Sequence, residues 1–262
     1  MRIALRCADY AGWTTGRATF SLYAVGGGPS ASRLSQYTRR VNGETIAARL
    51  TQVRDRIAAA CERSDRSPEE VTLIAVSKGF GAAAVREAAA AGLTDIGENR
   101  VQEAADKRPG LDDVSGVTWH MIGHLQTNKV KGALGLFDII HSVDSLRLAE
   151  AISNRALSDV PVFLEVNVSH EPTKTGFTIG EVPDAYRAAR LLRLDIRGLM
   201  TIAPLTDRDE DVRPIFRDLR QTAHGLGLEQ LSMGMTNDYE VAIEEGATHV
   251  RIGRAIFGER PA

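Results

Sequence analysis

Short apolar runs alternate with amphipathic stretches along most of the chain, and this alternation limits the folds that the chain can adopt. Runs typical of buried strands occur at residues 71–76, 95–97, 119–122, 138–141, 162–167, 196–200, 230–233 and 248–252. Helix-like stretches separate them, at residues 82–91, 99–107, 126–134, 145–156, 181–192, 212–225 and 238–245. Alternating strands and helices predict parallel strand pairing. Eight such units favour an α/β fold, a single closed (β/α)8 TIM barrel. An open doubly wound sheet is the alternative, although no GxGxxG segment follows the first strand.

The length of the chain fits one barrel preceded by an extension. The chain has 262 residues, and barrels of this type commonly need about 250. Residues 1–40 lack the sustained apolar stretch of a secretory signal, and residues 26–30 read Gly-Gly-Gly-Pro-Ser, which is typical of a linker. We expect residues 1–40 to be a loosely ordered extension, or the product of a start codon placed too early, and residues 41–262 to form the barrel domain.

The charge balance and the cysteine content argue against several classes of protein. Lys and Arg number 32 against 34 Asp and Glu, so no overall basic field attracts nucleic acid or anionic lipid. No apolar run approaches the roughly 20 residues of a membrane helix. The two cysteines, Cys7 and Cys61, stand in neither a metal-type nor a CxxC spacing, which favours a reducing compartment. We expect a cytoplasmic protein whose main partner is a small molecule.

Polar residues follow most of the predicted strands, where the active sites of β/α barrels lie. Lys78 is the most informative of them, because it comes directly after the apolar run of the first strand. Its amine would emerge into a partly desolvated pocket. Burial lowers the pKa of an amine, so that the neutral form can attack an aldehyde. A solvent-facing lysine is the alternative interpretation.

The segments after the seventh and eighth strands favour a phosphate site. Ser232, Gly234 and Thr236 accompany the seventh strand, and Gly253 follows the eighth. Residues of these types ahead of a helix offer backbone N–H groups and hydroxyls to an anion, although they also mark ordinary tight turns. Arg251, within the eighth strand, either pairs with an acidic helix residue or points into the barrel.

Several histidines invite comparison with an acid–base or metal site: His120, His124, His141 and His170. Their spacing does not place two of them on one helical face. We therefore interpret them as structural histidines with satisfied hydrogen bonds, and we predict no metal site.

Longer motifs resemble those of a known family. They are Ala75-Val-Ser-Lys78, Gly97-Glu-Asn-x-Val-Gln-Glu103, Trp119-His-x-Ile-Gly-His-Leu-Gln-x-Asn-Lys129, Gly198-Leu-Met200, Ser232-Met-Gly-Met235 and Val250-Arg-Ile-Gly-x-x-Ile-Phe-Gly258. From about residue 46 to residue 259, this combination resembles the YggS/PROSC family of pyridoxal phosphate homeostasis proteins. The resemblance implies a barrel like the N-terminal domain of alanine racemase. It also implies pyridoxal 5'-phosphate bound as an internal aldimine on Lys78, without an established catalytic reaction.

The resemblance assigns further residues to the ring of the cofactor. Asn99 would lie near the ring, and Arg251 would face the pyridine nitrogen. A guanidinium there discourages protonation of the nitrogen and weakens the cofactor as an electron sink. Lys174 matches a family lysine near the site and is a candidate secondary or transfer site.

The phosphate and the pocket wall are assigned in the same way. Ser232 and Gly253 would hold the phosphate together with the neighbouring Arg254, and Thr236 would assist them. The remaining predicted contacts of the pocket wall are Met233, Gly234 and Met235. We therefore predict a phosphate loop formed jointly by the ends of the seventh and eighth strands.

The chain departs from the family pattern at three places. Thr236 stands where the family usually has serine, which preserves a hydroxyl. Arg254 replaces a frequent threonine, so that a backbone N–H or the guanidinium would contact the phosphate instead. Gly79-Phe80-Gly81 replaces a proline-containing stretch, and we expect it to loosen the loop after Lys78.

The resemblance favours a cofactor carrier over an enzyme. Alanine racemase needs a second base, a tyrosine from a separate C-terminal domain, and we expect no such domain after the eighth strand. Of the five tyrosines, only Tyr239 follows a strand closely enough to approach the rim. We predict a monomer that buffers or sequesters the cofactor, or delivers it to apo enzymes that use it, and that has no catalytic residue. A low-activity amino-acid racemase is the alternative.

Overall fold

Eight parallel strands close into one barrel in a computed structural model, which describes residues 44–169, 171 and 174–259. The strands are β1 (Thr72–Val76), β2 (Asp95–Glu98), β3 (Thr118–Met121), β4 (Ile139–Val143), β5 (Val160–Glu165), β6 (Leu194–Met200), β7 (Gln230–Met235) and β8 (His249–Ile252). Each strand pairs with the next along the chain, and β8 pairs with β1. The predicted (β/α)8 barrel is confirmed. The predicted extension at residues 1–40 lies outside the described residues, and its boundary with the barrel stays a prediction.

Helices surround the barrel and follow the strands in alternation. They are α1 (Ile46–Arg63), α2 (Ala82–Ala90), α3 (Val101–Lys107), α4 (Val130–Leu134), α5 (Leu146–Ser153), α6 (Val182–Ala189), α7 (Arg213–Gly225), α8 (Tyr239–Glu244) and α9 (Arg254–Phe257). In α1, which precedes β1, the side chains at three- and four-residue spacing are buried, and the Thr45 hydroxyl accepts a hydrogen bond from the Ala48 N–H. None of the helices within the described residues combines the length and the apolarity needed to span a bilayer.

The helix after β3 is shorter than the sequence pattern predicts. The pattern favours one helix over residues 126–134, whereas the structure has a single 3₁₀ turn, Thr127–Lys129, followed by the five-residue α4. Gly132 lies within α4, and Gly135 follows it directly. Glycine lowers helix stability because its backbone loses more conformational freedom on folding, which accounts for the short helix.

Histidines occupy part of the barrel interior. His141 from β4 is fully buried and stacks on Phe163 from β5 at 4.3 Å between ring centroids, and His120 and His249 pack against its edge. Burial, followed by the nearby His120, His249 and Arg251, holds the pKa of His141 well below its usual range. Burial also lowers the pKa of His249, to about 4. His141 and His249 are therefore neutral rings in the interior near neutral pH.

Substitution of Gly198 tests the close approach of β6 and β7. A Cβ at this position would lie 1.8 Å from the Gln230 carbonyl oxygen, which belongs to the paired strand and cannot swing away. We expect Gly198→Ala to lower the free energy of unfolding by about 3 kcal/mol, measured by urea denaturation. Gly180→Ala is the matched control, because nothing lies within 4 Å of its added Cβ. Equal losses in the two variants would contradict this account.

The low pKa values of His141 and His249 predict that the protein is less stable in acid. Between the usual pKa of 6.5 and the folded value of about 4, unfolding lets His249 take up a proton that the native protein excludes. The free energy of unfolding should therefore fall as the pH drops through this window, by about 3 kcal/mol from His249 alone. Urea denaturation at several pH values measures this slope. His249→Gln should flatten it, whereas His224→Gln, an exposed position on α7, should leave it unchanged.

Candidate functional site

A cavity of about 610 Å³ opens at the carboxyl ends of the barrel strands. Such a volume is typical of small-molecule sites. Its walls are formed by Val76, Lys78, Asn99, Ile122, Ile202, Leu205, Met235, Thr236, Asn237, Asp238, Arg251, Gly253, Arg254 and Glu259. Because these residues end or follow six different strands, closure of the barrel is what brings them together.

Most of the predicted site residues line this cavity. They are Lys78, Asn99, Met235, Thr236, Arg251, Gly253 and Arg254. The other three predicted residues, all within the described part of the chain, are absent from its walls: Ser232, Met233 and Gly234. The register of β7 with β8 shifts between Ser232 and Met235, so the side chains there do not follow a simple alternation between cavity and core.

Each of those three residues has a different position. The Ser232 side chain points into the barrel, where its Oγ lies 2.8 Å from His141 Nδ1 and accepts a hydrogen bond from Arg251. Met233 is fully buried in the hydrophobic core. Gly234 has φ +90°, and a Cβ there would lie 2.6 Å from the Cβ of Ala242 on α8. The cavity wall at this strand is therefore made by Met235 and the loop after it.

Lys78 lies immediately after β1, half-buried at the cavity wall. The next residues form an anchored turn. Gly79 has φ +78° and donates its N–H to Glu103 Oε2 at 3.0 Å, and Phe80 is buried against Phe257 with ring centroids 5.3 Å apart. The buried Phe80 ring and the Gly79 hydrogen bond anchor this turn at two points, and the expected loosening of the loop by Gly79-Phe80-Gly81 stays a prediction.

A buried ion pair lies directly beneath Lys78. Glu98, at the end of β2, is fully buried and accepts hydrogen bonds from the Ser77 hydroxyl and the Lys107 amine. Lys107 also donates to the Ser77 carbonyl at 2.8 Å. Burial raises the pKa of Glu98, while the bonds from Lys107 and Ser77 act in the opposite direction. These bonds join β1, β2 and α3 and fix the backbone that carries Lys78.

Asn99 offers an unsatisfied polar atom to the cavity. Its Oδ1 is buried and has no hydrogen-bond partner among the described residues. Gly123 packs closely on its backbone, since a Cβ there would lie 2.4 Å from the Asn99 carbonyl oxygen. A buried amide oxygen without a partner costs free energy unless a ligand supplies a donor or a water does. Asn99 is therefore a candidate ligand contact.

Arg251 points into the barrel and not toward an acidic helix residue. Its Nη1 donates to the carbonyl and the hydroxyl of Ser232, and its Nη2 donates to the Thr201 carbonyl, each at 2.7 Å. The side chain is buried, and burial lowers its pKa to about 10. The guanidinium remains charged at neutral pH and forms the floor of the cavity.

The loops after β7 and β8 form the basic and hydroxyl-bearing side of the cavity. Asp238 Oδ1 accepts a hydrogen bond from the Met235 N–H at 2.5 Å, which closes the turn that presents Thr236. Gly253 approaches β1 closely, since a Cβ there would lie 3.3 Å from the Val76 carbonyl oxygen. Arg254, the first residue of α9, is exposed at the cavity mouth. This side of the cavity fits an anion.

The histidines have separate environments. His120 and His141 are buried and hydrogen-bonded in the barrel interior, whereas His124 is exposed and lies 2.9 Å from Asp144. His170 lies outside the described residues. Within the described chain, no cluster of three or more His, Cys, Asp or Glu side chains has the arrangement of a metal site.

Two further candidates lie away from the cavity wall. Tyr239 is fully buried on α8 beneath the Arg56 guanidinium, 5.2 Å from the ring centroid, and it is absent from the walls. The expectation that it approaches the rim is wrong, because α8 turns its ring toward α1. Lys174 pairs with Glu171 at 2.6 Å and donates to the carbonyl of Ile202, itself a wall residue, at 3.1 Å.

Several residues of the site were not predicted from the sequence. Ile202 and Leu205, from the loop after β6, are apolar side chains exposed at the cavity mouth, and no local pattern distinguishes them. Asp238 carries a signal, since aspartate three residues after a strand end is typical of a turn. Glu98 and Lys107 lie nine residues apart in different elements, so their pairing depends on the fold.

Comparisons with known proteins identify the relatives of the chain. Residues 49–261 match the family described as alanine racemase, N-terminal domain. A pyridoxal phosphate homeostasis protein from Aquifex aeolicus is 44% identical over 222 residues, which cover 81% of this chain and 97% of the relative. A protein of the same name from Escherichia coli K12 is 43% identical over 230 residues, covering 82% and 97%. The family match spans all eight strands.

A solved structure supports the same relationship. PipY of Synechococcus elongatus, crystallised with PLP bound, matches with a TM-score of 0.70 and 40% sequence identity. The match covers 82% of this chain and 100% of PipY. Both the fold and the sequence are therefore similar over the whole of that protein.

Removal of Lys107 tests the buried pair beneath Lys78. Lys107→Met leaves the Glu98 carboxylate buried without its cation, so we expect the free energy of unfolding to fall by about 3 kcal/mol in urea denaturation. Arg86→Met breaks the exposed pair with Asp113 and should cost less than about 1 kcal/mol. If the double variant Glu98→Gln/Lys107→Met is as unstable as Lys107→Met alone, the loss does not come from an uncompensated charge.

Proposed function

This chain belongs to the family of pyridoxal phosphate homeostasis proteins, built on the alanine racemase N-terminal domain, and we propose that it holds pyridoxal 5'-phosphate covalently on Lys78. Its role is to buffer, deliver or sequester the cofactor in the cell. The observation that carries this proposal is the convergence of Lys78, Asn99, Arg251 and the loops after β7 and β8 on one cavity. These groups match an aldehyde, a ring and a phosphate.

Lys78 supplies the amine for the aldehyde end. When bound, the cofactor supplies an aldehyde carbon that a neutral amine attacks. The Lys78 backbone is fixed by the Glu98–Lys107 pair on one side and by the anchored Gly79–Phe80 turn on the other. The lysine therefore presents its amine from a rigid base. Asn99 lines the same cavity and has a buried Oδ1 without a partner among the described residues.

The phosphate binds at the opposite side of the cavity. The Thr236 hydroxyl and the Gly253 backbone provide uncharged donors, and Arg254 provides a charged one. Met235 forms the adjacent wall. Ser232 serves this region indirectly, since its side chain holds Arg251 from inside the barrel. Met233 and Gly234 shape β7 behind the wall.

Arg251 disfavours carbanion chemistry at this site. It remains positively charged at the cavity floor, and a cation near a pyridine nitrogen discourages protonation of that nitrogen. Tyr239 is buried away from the cavity, so the only tyrosine considered as a second base cannot reach a substrate there. We therefore propose a carrier without catalytic residues. The names of the relatives, homeostasis proteins rather than enzymes, support this proposal.

The cellular setting follows from the same role. We propose that the protein acts as a monomer in the cytoplasm, where a free thiol such as Cys61 persists in the reduced form. Apo enzymes that use pyridoxal phosphate are the proposed recipients. Lys174, held beside the loop after β6, is the proposed secondary or transfer site.

Absorbance of the purified protein tests Lys78 as the attachment site. With added pyridoxal phosphate we expect a yellow visible band that borohydride makes permanent, with the reduced adduct on Lys78 by peptide mass spectrometry. Lys78→Ala should lose the band. Lys131→Ala, an exposed lysine on α4, should keep it.

Two outcomes would change this assignment. A colourless wild-type protein that takes up no added pyridoxal phosphate would contradict the carrier role. Steady racemisation of an added amino acid by the wild type, absent in Lys78→Ala, would establish the low-activity racemase instead.

A further inference from the structure

A chain of hydrogen bonds crosses the barrel from the cavity to the opposite end. Arg251 Nη1 lies 2.7 Å from Ser232 Oγ, which lies 2.8 Å from His141 Nδ1. His141 Nε2 lies 2.9 Å from His120 Nδ1. His120 Nε2 lies 2.9 Å from Asp95 Oδ1, at the start of β2. Since β4 and β7 are not paired, the contact of His141 with Ser232 passes through the barrel interior.

The chemistry of its two ends gives this chain one direction. A guanidinium only donates, so Ser232 Oγ accepts from Arg251, and its own proton is available for His141 Nδ1. His141 then carries its proton on Nε2 and donates to His120 Nδ1. By the same argument His120 carries its proton on Nε2 and donates to the Asp95 carboxylate, which only accepts. In this direction every hydrogen bond has one donor and one acceptor while both imidazoles are neutral.

The reverse direction requires an additional charge. If His141 carried its proton on Nδ1, its Nε2 would have to accept from His120 Nδ1. His120 would then need a second proton on Nε2 to donate to Asp95. The resulting imidazolium would pair with Asp95, but it would add a second cation to an interior where His120 is 1% exposed and Arg251 is already charged. Burial of a further cation there is costly.

We propose that Asp95, His120, His141 and Ser232 form a relay of positioning residues that fixes the Arg251 guanidinium at the cavity floor. The orientation of Arg251 is then set in part by a carboxylate at the far end of the barrel. The stacking of His141 on Phe163 keeps the middle of the relay rigid, and burial keeps water from replacing its bonds. The consequence for the cofactor rests on the proposed function, whereas the relay itself does not.

Asp95 is the position at which the relay can be tested without touching the cavity. Its side chain is 18% exposed at the opposite end of the barrel, and it contacts Thr94 and His120. Asp95→Ala removes the terminal acceptor, while Asp95→Asn retains an oxygen that can accept from His120. Asp138→Ala is the matched control. It removes a carboxylate that lies just before β4 and accepts a hydrogen bond from the Trp119 N–H. This carboxylate is at the same end of the barrel as Asp95 but outside the relay.

The first measurement is ¹⁵N NMR of the imidazoles in protein without cofactor. Near neutral pH, His120 and His141 should both carry the proton on Nε2 in the wild type, in Asp95→Asn and in Asp138→Ala. In Asp95→Ala, His141 should become a mixture of tautomers although Asp95 does not contact it. A wild-type His141 with its proton on Nδ1 would overturn the relay, and so would the same mixture in Asp138→Ala or an unchanged His141 in Asp95→Ala.

The second measurement is the Kd for pyridoxal phosphate, from the visible band. Asp95→Ala should bind about tenfold more weakly, because Arg251 loses its fixed orientation, whereas Asp95→Asn and Asp138→Ala should match the wild type. Wild-type affinity in Asp95→Ala would show that the relay does not position Arg251. A wild type that binds no pyridoxal phosphate would overturn the proposed function, while the tautomer measurement would still decide the relay.

Discussion

Pairing of β8 with β1 is the constraint on which the site depends. This pairing joins the first and last strands of the barrel, with Thr72 opposite His249 and Ala75 opposite Ile252. It brings Lys78, directly after β1, beside Gly253, directly after β8. The fit is close, because a Cβ at Gly253 would lie 3.3 Å from the Val76 carbonyl. A sheet left open at this seam would separate Lys78 from Gly253 and Arg254.

Charged groups between the strands and helices are paired differently from those in the barrel interior. The Glu98–Lys107 pair lies between β2 and α3, outside the barrel interior, and each charge is paired with the other. The interior instead holds the neutral rings of His141 and His249 and the cation Arg251, whose three hydrogen bonds compensate for its burial. Burial is the main cause of the low pKa values of His141 and His249, and the nearby His120 and Arg251 lower them further.

The same barrel serves different roles in different proteins, because function depends on the groups at its rim. In this chain Lys78, Asn99, Thr236 and Arg254 line one cavity, while the Tyr239 ring faces the helices. A site of this composition can hold a cofactor firmly and still lack a second base. The exposed Ile202 and Leu205 at its mouth belong to the loop that Lys174 contacts.

The sequence by itself determined the barrel and most of the cavity wall, Lys78 included. Strand and helix periodicities are local, and residues that directly follow parallel strands share one rim whatever the details of packing. The tertiary structure decided which way the residues of β7 face and which residues pair across the barrel. Ser232 reads as a phosphate ligand in its motif, but the phase of β7 turns it toward His141, ninety-one residues away. Such pairs join distant segments whose contact leaves no periodic trace, so only the closed barrel reveals them.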